Sequence, residues 1–379
     1  MPITIGFDAT AAARQSAGIG RYTRQLLSAL AARDDPYNYK VCYAAAGEMM
    51  GSLPALDSRF RTRPLPVSDR MLNAVWHRAR LPVPIQFAIG SFDLFHSPDF
   101  SLPPVGSKPS IVTVHDLAFL RRPECAFPSL RRYLEVIVPR SARRATLIIA
   151  VSECTRRDVI DLVGIAPERV VTVLEGVDRS FRPVTDRAWA HGRVVALGVK
   201  GRYILAVGTL EPRKNYVRLL EAYAALRARG CAQELVIVGG RGWRYEPIFD
   251  KLRELGLQDS VTFARPNDED LVCLYNCADV FVYPSLYEGF GLPALEALAC
   301  GAPVACSQLS SLPEVVGDAA MLFDPTDVED MTETLWRLLV GATLQRQLRQ
   351  AGPVQASRFT WAAAAAHTAD LYRRVADGM

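Results

Sequence analysis

The stretch SLYEGFGLPALEALACGAPV, residues 285–304, carries two carboxylates, Glu288 and Glu296, with seven residues between them. A turn, Gly289-Phe290-Gly291, follows Glu288 and leads into a helical pattern that begins at Leu292. A buried strand-like run, DVFVYPS (279–285), comes just before. The order is strand, tight loop, helix N-terminus. Free N–H groups at a helix start favour bound phosphate. An ionised carboxylate accepts hydrogen bonds and donates none, which suits the hydroxyls of a sugar. Together these residues could hold a phosphorylated sugar. A second segment, GTLEPRKN (208–215), also joins a strand to a helix and sets Arg213 beside Lys214. The macrodipole disfavours cations at a helix start, so the pair makes most sense holding an anion. A solvated charge pair is the plain alternative, and the acidic loop at the end of another strand tips the balance towards a diphosphate.

The first half offers weaker constellations. Gly18-Ile19-Gly20-Arg21-Tyr22 follows the first strand. It reads equally as a plain turn or as a backbone able to approach a ligand. The third glycine of a dinucleotide fingerprint is missing, and no acid closes the next strand, so NAD binding is rejected. His115-Asp116 closes IVTVHD. A histidine there can bind a sugar hydroxyl, move a proton or simply cap a loop. His96 also ends a strand, so position does not separate the two. Arginines crowd residues 121–144 (Arg121, Arg122, Arg131, Arg132, Arg140, Arg143, Arg144), with Phe127, Leu130, Tyr133, Leu134, Val136 and Ile137 between them. That pattern is either a solvated basic helix or one that lies on an anionic membrane surface. No nucleic-acid motif accompanies the charge, and nucleic acid is not expected as a partner.

Positioning these groups requires regular elements. Strands are expected at 3–8, 39–44, 92–97, 110–116, 146–152 and 169–174, with an amphipathic helix from Ile19 to Ala32. Such alternation implies a parallel sheet covered by helices. Residues 45–91 are the least readable part, although 68–82 looks like one helix with Trp76 and basic residues. Periodicity lapses over 176–200, which resembles a linker. The alternation then restarts with strands at 202–209, 234–240, 260–264, 279–284 and 303–307 and helices at 215–229, 246–256, 268–277 and 292–300. This predicts a second doubly wound domain, with ligands at the carboxyl ends of its strands. The alanine-rich tail, 361–379, reads as a helix.

Bulk properties agree. At 379 residues the chain exceeds one ordinary core. Half of its residues are hydrophobic and 22% charged, as in a soluble globular protein. No apolar run reaches the roughly 18 residues that span a bilayer. The start, MPITIGFDAT, looks like a strand and not a leader, which predicts a cytoplasmic protein. The eight cysteines are scattered and read as reduced thiols, and Cys273 and Cys277 lack partners for a metal site. Net charge is uneven: 25 basic and 18 acidic residues over 1–190, 19 and 22 over the remainder.

Gly18-x-Gly20-Arg21-Tyr22, His115-Asp116, GTLEPRKN and the Glu288/Glu296 pair occur in an order that resembles the retaining glycosyltransferases of family 4 over roughly residues 3–375. The Gly-Phe-Gly-Leu-Pro turn and LYNCADVFVYPS before it add specificity. The resemblance implies an α/β fold of the GT-B type, two Rossmann-like doubly wound domains facing a cleft. It implies an acceptor-binding domain at 1–185, a donor-binding domain at 186–360 and a C-terminal helix, 361–379, packed back on the first. It assigns Arg213 and Lys214 to the donor diphosphate and its leaving-group charge, and Glu288 and His115 to the donor sugar. Phe290, Gly291 and Leu292 fall to the diphosphate or sugar, Glu296 to the ribose and Arg265 and Pro266 to the base. Gly18 and Gly20 would approach the phosphate. Acceptor contacts are expected from Tyr22, Asp116, Arg121 and Arg122. Two positions depart from the pattern: Arg265 lies where a glycine is usual, and Glu175 where asparagine often precedes Gly-Val-Asp.

The chemistry then follows from electrostatics, with fixed cations and a helix N-terminus stabilising the departing diphosphate. Glu288 and Glu296 need not be a glycosidase pair, and no nucleophile is assigned. No metal or other cofactor is expected, the nucleotide sugar being a co-substrate. SPDFSLPP (97–104) through VTVHDLAFLRRPE (112–124) resembles bacterial α-mannosyltransferases of polysaccharide assembly. That resemblance favours GDP-mannose, with a UDP-hexose as the alternative. It also implies a glycan or lipid-linked acceptor, met at the inner face of the plasma membrane if 121–144 contacts anionic lipid. A nucleotide-sugar 2-epimerase and a non-catalytic partner subunit are the rival classes, and the intact Arg213, Lys214, Glu288 and Glu296 argue against both.

Overall fold

The computed structural model describes residues 2–15, 18–47 and 51–378. They form two compact units. One holds the chain up to Leu117, Ser129–Gly176 and the segment from Thr360; the other holds Ala118–Pro128 and Val177–Phe359. The first unit's main body thus ends at Gly176 rather than 185, and the chain visits the second unit briefly at 118–128. The tail helix, Trp361–Ala376, belongs to the first unit; Met379 lies outside the described residues.

The first sheet contains β1 (Ile3–Asp8), β2 (Tyr37–Ala44), β3 (Phe60–Leu65), β4 (Leu94–Ser97), β5 (Ser110–Val114), β6 (Leu147–Ala150) and β7 (Val170–Thr172), in the order β3-β2-β1-β4-β5-β6-β7. The second contains β8 (Tyr203–Val207), β9 (Glu234–Val238), β10 (Val261–Ala264), β11 (Val280–Tyr283), β12 (Val304–Ser307) and β13 (Ala320–Phe323), in the order β10-β9-β8-β11-β12-β13. The named pairings are parallel. Parallel strands covered on both faces read as unbroken apolar runs, and β4, β5, β6, β8 and β11 are buried at every residue. Each sheet reverses its direction of growth once, at β1/β4 in the first and at β8/β11 in the second.

Both unexpected strands are edge strands. In β3, FRTRPL, only the two end residues are buried, and an edge strand tolerates the arginines and the proline that mask its pattern. In β13 only Phe323 is buried. The stretch read as a linker contains a helix, Arg187–Ala196, whose buried contribution is just Ala190 and Val194. Arg193 pairs with Glu269 and Asp270 of the helix Asp268–Cys277 (3.2 and 2.6 Å), and Arg187 donates to the Asn276 carbonyl (2.6 Å). The helix expected over 68–82 forms Asp69–Asn73 and then widens into a π turn, Ala74–Arg78, closed by Ala79 N–H on the Ala74 carbonyl.

Candidate functional site

The second unit gathers its chemistry at the β8/β11 reversal, where Brändén's rule puts ligands. The β8 loop carries Glu211, Arg213, Lys214 and Asn215; the β11 loop carries Glu288. Two bonds stitch the loops together: Leu286 N–H donates to the Arg213 carbonyl (2.9 Å) and Asn215 Nδ2 to the Pro284 carbonyl (3.1 Å). Asn215 adopts a left-handed conformation (φ 60°) at the start of the helix Tyr216–Ala228. Asparagine tolerates that geometry better than most residues, which explains the Lys-Asn order.

Lys214, 7% exposed, donates from Nζ to Glu288 Oε1 and to the Tyr283 hydroxyl, each at 2.6 Å. Arg213 pairs with Glu288 Oε2 (2.9 Å) and Glu211 Oε1 (2.7 Å) and donates to the Tyr287 carbonyl (2.8 Å). Burial alone would raise the Glu288 pKa, but Arg213 and Lys214 together outweigh it and hold it at about 2. Burial lowers the Lys214 pKa against the opposing pull of Glu288. The two cations therefore do hold anions, but those anions are Glu288 and Glu211, and the four formal charges cancel. An ammonium has three donors, so the third of Lys214 has no protein partner among the described residues.

The turn after Glu288 is built to a tight tolerance. Gly291 takes φ 110° as the N-cap of the helix Leu292–Ala299, and a Cβ there would lie 2.6 Å from Leu312 Cδ2. Ser310, itself at φ 59°, accepts from Glu288 N–H (2.9 Å), and the Ser311 hydroxyl reaches the carbonyls of Phe290 (2.7 Å) and Glu288 (3.0 Å). Sequence reading missed these serines and Tyr283; Ser310-Ser311 follows β12, the next strand end along. Glu296, one turn into the helix, is buried and accepts from the Tyr275 hydroxyl (3.1 Å). Arg265 and Pro266 follow the edge strand β10, and Arg265 is exposed.

The first unit holds His115 between Glu175 (Nδ1 to Oε1, 3.6 Å) and the Pro98 carbonyl (Nε2, 2.9 Å), with Tyr22 and Phe100 edge-on at 4.6 and 5.6 Å. Burial opposes charge on His115, but Glu175, the Pro98 carbonyl and Asp99 outweigh it and raise its pKa. Both ring nitrogens are therefore committed, and the unusual Glu175 is the counter-ion. Tyr22 is 2% exposed, wedged between His115 and Trp361; it is a wall for the histidine and not an open acceptor contact. Asp116 is half-buried beside it, whereas Arg121 and Arg122 fall in the second unit. The expected acceptor set is thus divided between the units. Gly20 lacks room for a Cβ because the Gln15 carbonyl would be 2.2 Å away, so its close approach is to its own chain. Gly18 is the N-cap of the helix Ile19–Ala31 at φ 57°, with open space around it.

A cavity of about 390 Å³ opens at the β1/β4 reversal, lined in part by Asp8, Trp76, His77, Asp99, Phe100 and Tyr133. Burial raises the pKa of both Asp8 and Asp99, and the charge of Asp99 adds to the rise at Asp8. Sequence reading missed this site; Asp8 closes the first strand, and that position was its one visible signal.

The second unit matches the family model for glycosyl transferases group 1 over residues 190–355, and the first matches glycosyltransferase family 4 over 16–181. An O-antigen chain mannosyltransferase of Escherichia coli is 31% identical, covering 94% of this chain and 96% of its own. A serotype-specific mannosyltransferase of the same species is 33% identical over 58% of this chain, which spans only 28% of that longer protein. Sucrose-phosphate synthase from Thermosynechococcus elongatus shares the fold over the full length of both chains, with a TM-score of 0.79 at 21% identity. On these matches the chain belongs to glycosyltransferase family 4 and has the GT-B fold.

Proposed function

We propose that this glycosyltransferase moves mannose from GDP-mannose, with retention of anomeric configuration, to a glycan or lipid-linked glycan of a cell-surface polysaccharide. The observation that carries the proposal is the buried Arg213–Lys214–Glu288 cluster at the β8/β11 reversal. Two relatives described as mannosyltransferases, one of them acting on the O-antigen chain, support the sugar and the acceptor class.

In this reading the bond from the anomeric carbon to the diphosphate oxygen breaks, a bond to an acceptor hydroxyl oxygen forms, and the hydroxyl's proton leaves with the departing diphosphate. The departing diphosphate gains negative charge. Lys214's third N–H and the helix start at Leu292 meet that charge in a water-poor site, where preorganised donors count most. Glu288 keeps both cations fixed before the donor arrives. Glu296, held by Tyr275, accepts from ribose hydroxyls. In the first unit, the aromatic walls and carboxylates of the β1/β4 cavity suit a neutral sugar, whose hydroxyls donate to Asp8 and Asp99. A UDP-hexose is the alternative donor, and Arg265 in place of the usual glycine is what keeps it in view.

A thermal-shift panel of GDP, UDP, ADP and TDP with their sugar conjugates tests the donor, because a ligand of the native state raises the midpoint with concentration. A selective rise with GDP and GDP-mannose is expected, and a selective rise with UDP would overturn the donor. Lys214→Ala is expected to fold, since Glu288 keeps Arg213, and to lose about 2–4 kcal/mol of transition-state stabilisation in kcat/KM. A near-wild-type rate would remove the diphosphate assignment.

A further inference from the structure

Residues 70–92 hold Arg70, Arg78 and Arg80 and not a single Asp or Glu. Within them the chain leaves the π turn and folds back on it. Arg80 takes φ 55°, Leu81 N–H donates to the Val75 carbonyl (3.0 Å), and the Trp76 indole N–H donates to the Val83 carbonyl (3.0 Å). Phe87 N–H then donates to the Pro84 carbonyl (3.1 Å). Pro82 and Pro84 alternate with the apolar residues and stiffen the loop, since each fixes its own φ. The result is an apolar tip: Leu81 is 48% exposed, Val83 45% and Phe87 84%. Arg78 and Arg80 lead directly into it, both exposed, and neither is paired with a carboxylate among the described residues.

We propose that residues 78–87 dock the first unit on an anionic lipid surface. Apolar side chains enter the boundary between headgroups and acyl chains, while the guanidinium groups meet lipid phosphates. The charge selects this occupant. A second copy would bring the same arginines face to face, and a nucleic acid would leave Leu81, Val83 and Phe87 without an apolar partner. The segment 121–144 serves less well. Its first residues lie in the other unit. Along the helix Pro128–Arg144, Arg131 is taken by Glu135 (2.7 Å) and Arg144 by the carbonyls of Leu102 and Pro103 (3.2 and 3.1 Å). Trp76 and His77, which line the β1/β4 cavity, immediately precede the docking loop. The inference thus deepens the reading of a lipid-linked acceptor and depends on that reading only for its purpose, since the surface itself is defined by side chains.

The test is co-sedimentation of the full chain with vesicles of phosphatidylcholine alone or mixed with phosphatidylglycerol, at low and high salt. Binding is expected only to the mixed vesicles, weakened by salt. Arg78→Glu with Arg80→Glu, and separately Leu81→Ser with Phe87→Ser, should each lower the bound fraction at least about tenfold. An unchanged melting midpoint and an unchanged nucleotide-induced shift would show that the variants fold. Equal binding by wild type and variants, or no binding by wild type, overturns the proposal, as does a wild-type dimer in light scattering that Phe87→Ser dissolves. Loss of the GDP shift with vesicle binding intact would defeat the donor reading and leave this surface standing.

Discussion

His96 and His115 lie at the ends of neighbouring strands, and their surroundings give them opposite charge preferences. His96 is fully buried between the Tyr372 hydroxyl (2.7 Å) and Thr113 Oγ1 (3.1 Å), and burial drops its pKa to about 3. It is a neutral core residue. His115 has a carboxylate at one nitrogen and a carbonyl at the other, and its pKa is raised. A raised pKa adds stability that is complete below the unfolded value of about 6.5 and disappears as pH rises through the folded value. Glu175→Gln should therefore cost about 1.5–3 kcal/mol at acidic pH, the worth of a hydrogen bond to a charged group. The gap from wild type should close as pH rises past the His115 titration. Chemical denaturation across pH checks it, and a gap independent of pH would mean that His115 is neutral. The His115-Asp116 motif was legible in the sequence; its counter-ion was not, because Glu175 lies 60 positions away along the chain. Arg213, Lys214 and Glu288 were likewise legible as types, but only the fold reveals that they neutralise one another.

At the scale of elements, legibility followed burial. Strands buried on both faces, such as β5 and β8, stood out as apolar runs. The edge strands β3 and β13 carry little apolar signal because little of them is buried. The helix Arg187–Ala196 was hidden for a related reason: arginine contacts to the helix Asp268–Cys277 hold it, along with two small buried side chains. The junction between β11 and the helix Leu292–Ala299 is where an element boundary becomes a functional constraint. Gly291→Ala must adopt a positive φ and press on Leu312. It should destabilise the second unit by roughly 1–3 kcal/mol. If the junction orients Glu288, kcat/KM should fall by more than the loss of folded protein explains. Urea denaturation and initial rates on the same sample check both, and wild-type stability would refute the tight fit at Leu312.

For the molecule as a whole, the discontinuous first unit is the decisive feature. The helix Trp361–Ala376 closes it: Tyr372 reaches His96, Tyr37 donates from its hydroxyl to the Ala369 carbonyl (2.9 Å), and Trp361 backs Tyr22. Burying Trp361, Leu371, Tyr372 and Val375 at roughly 1.5–3 kcal/mol each contributes roughly 6–12 kcal/mol, comparable to the whole stability of a typical domain. A chain ending at Phe359 should lose amide-exchange protection over β1, β2 and β4 while keeping it over β8 to β12. Retained protection in β1 would show that the sheet stands without its helix.

That closure also sets an order in time. A ribosome adds residues from the N-terminus at about 5–20 per second, so all of Val177–Phe359 emerges before the helix that completes the first unit. The second unit can finish folding while the first still waits, its aromatic core open to water and to chaperones. Birth order and folding order are thus reversed in this protein: the unit made first is the last to be finished.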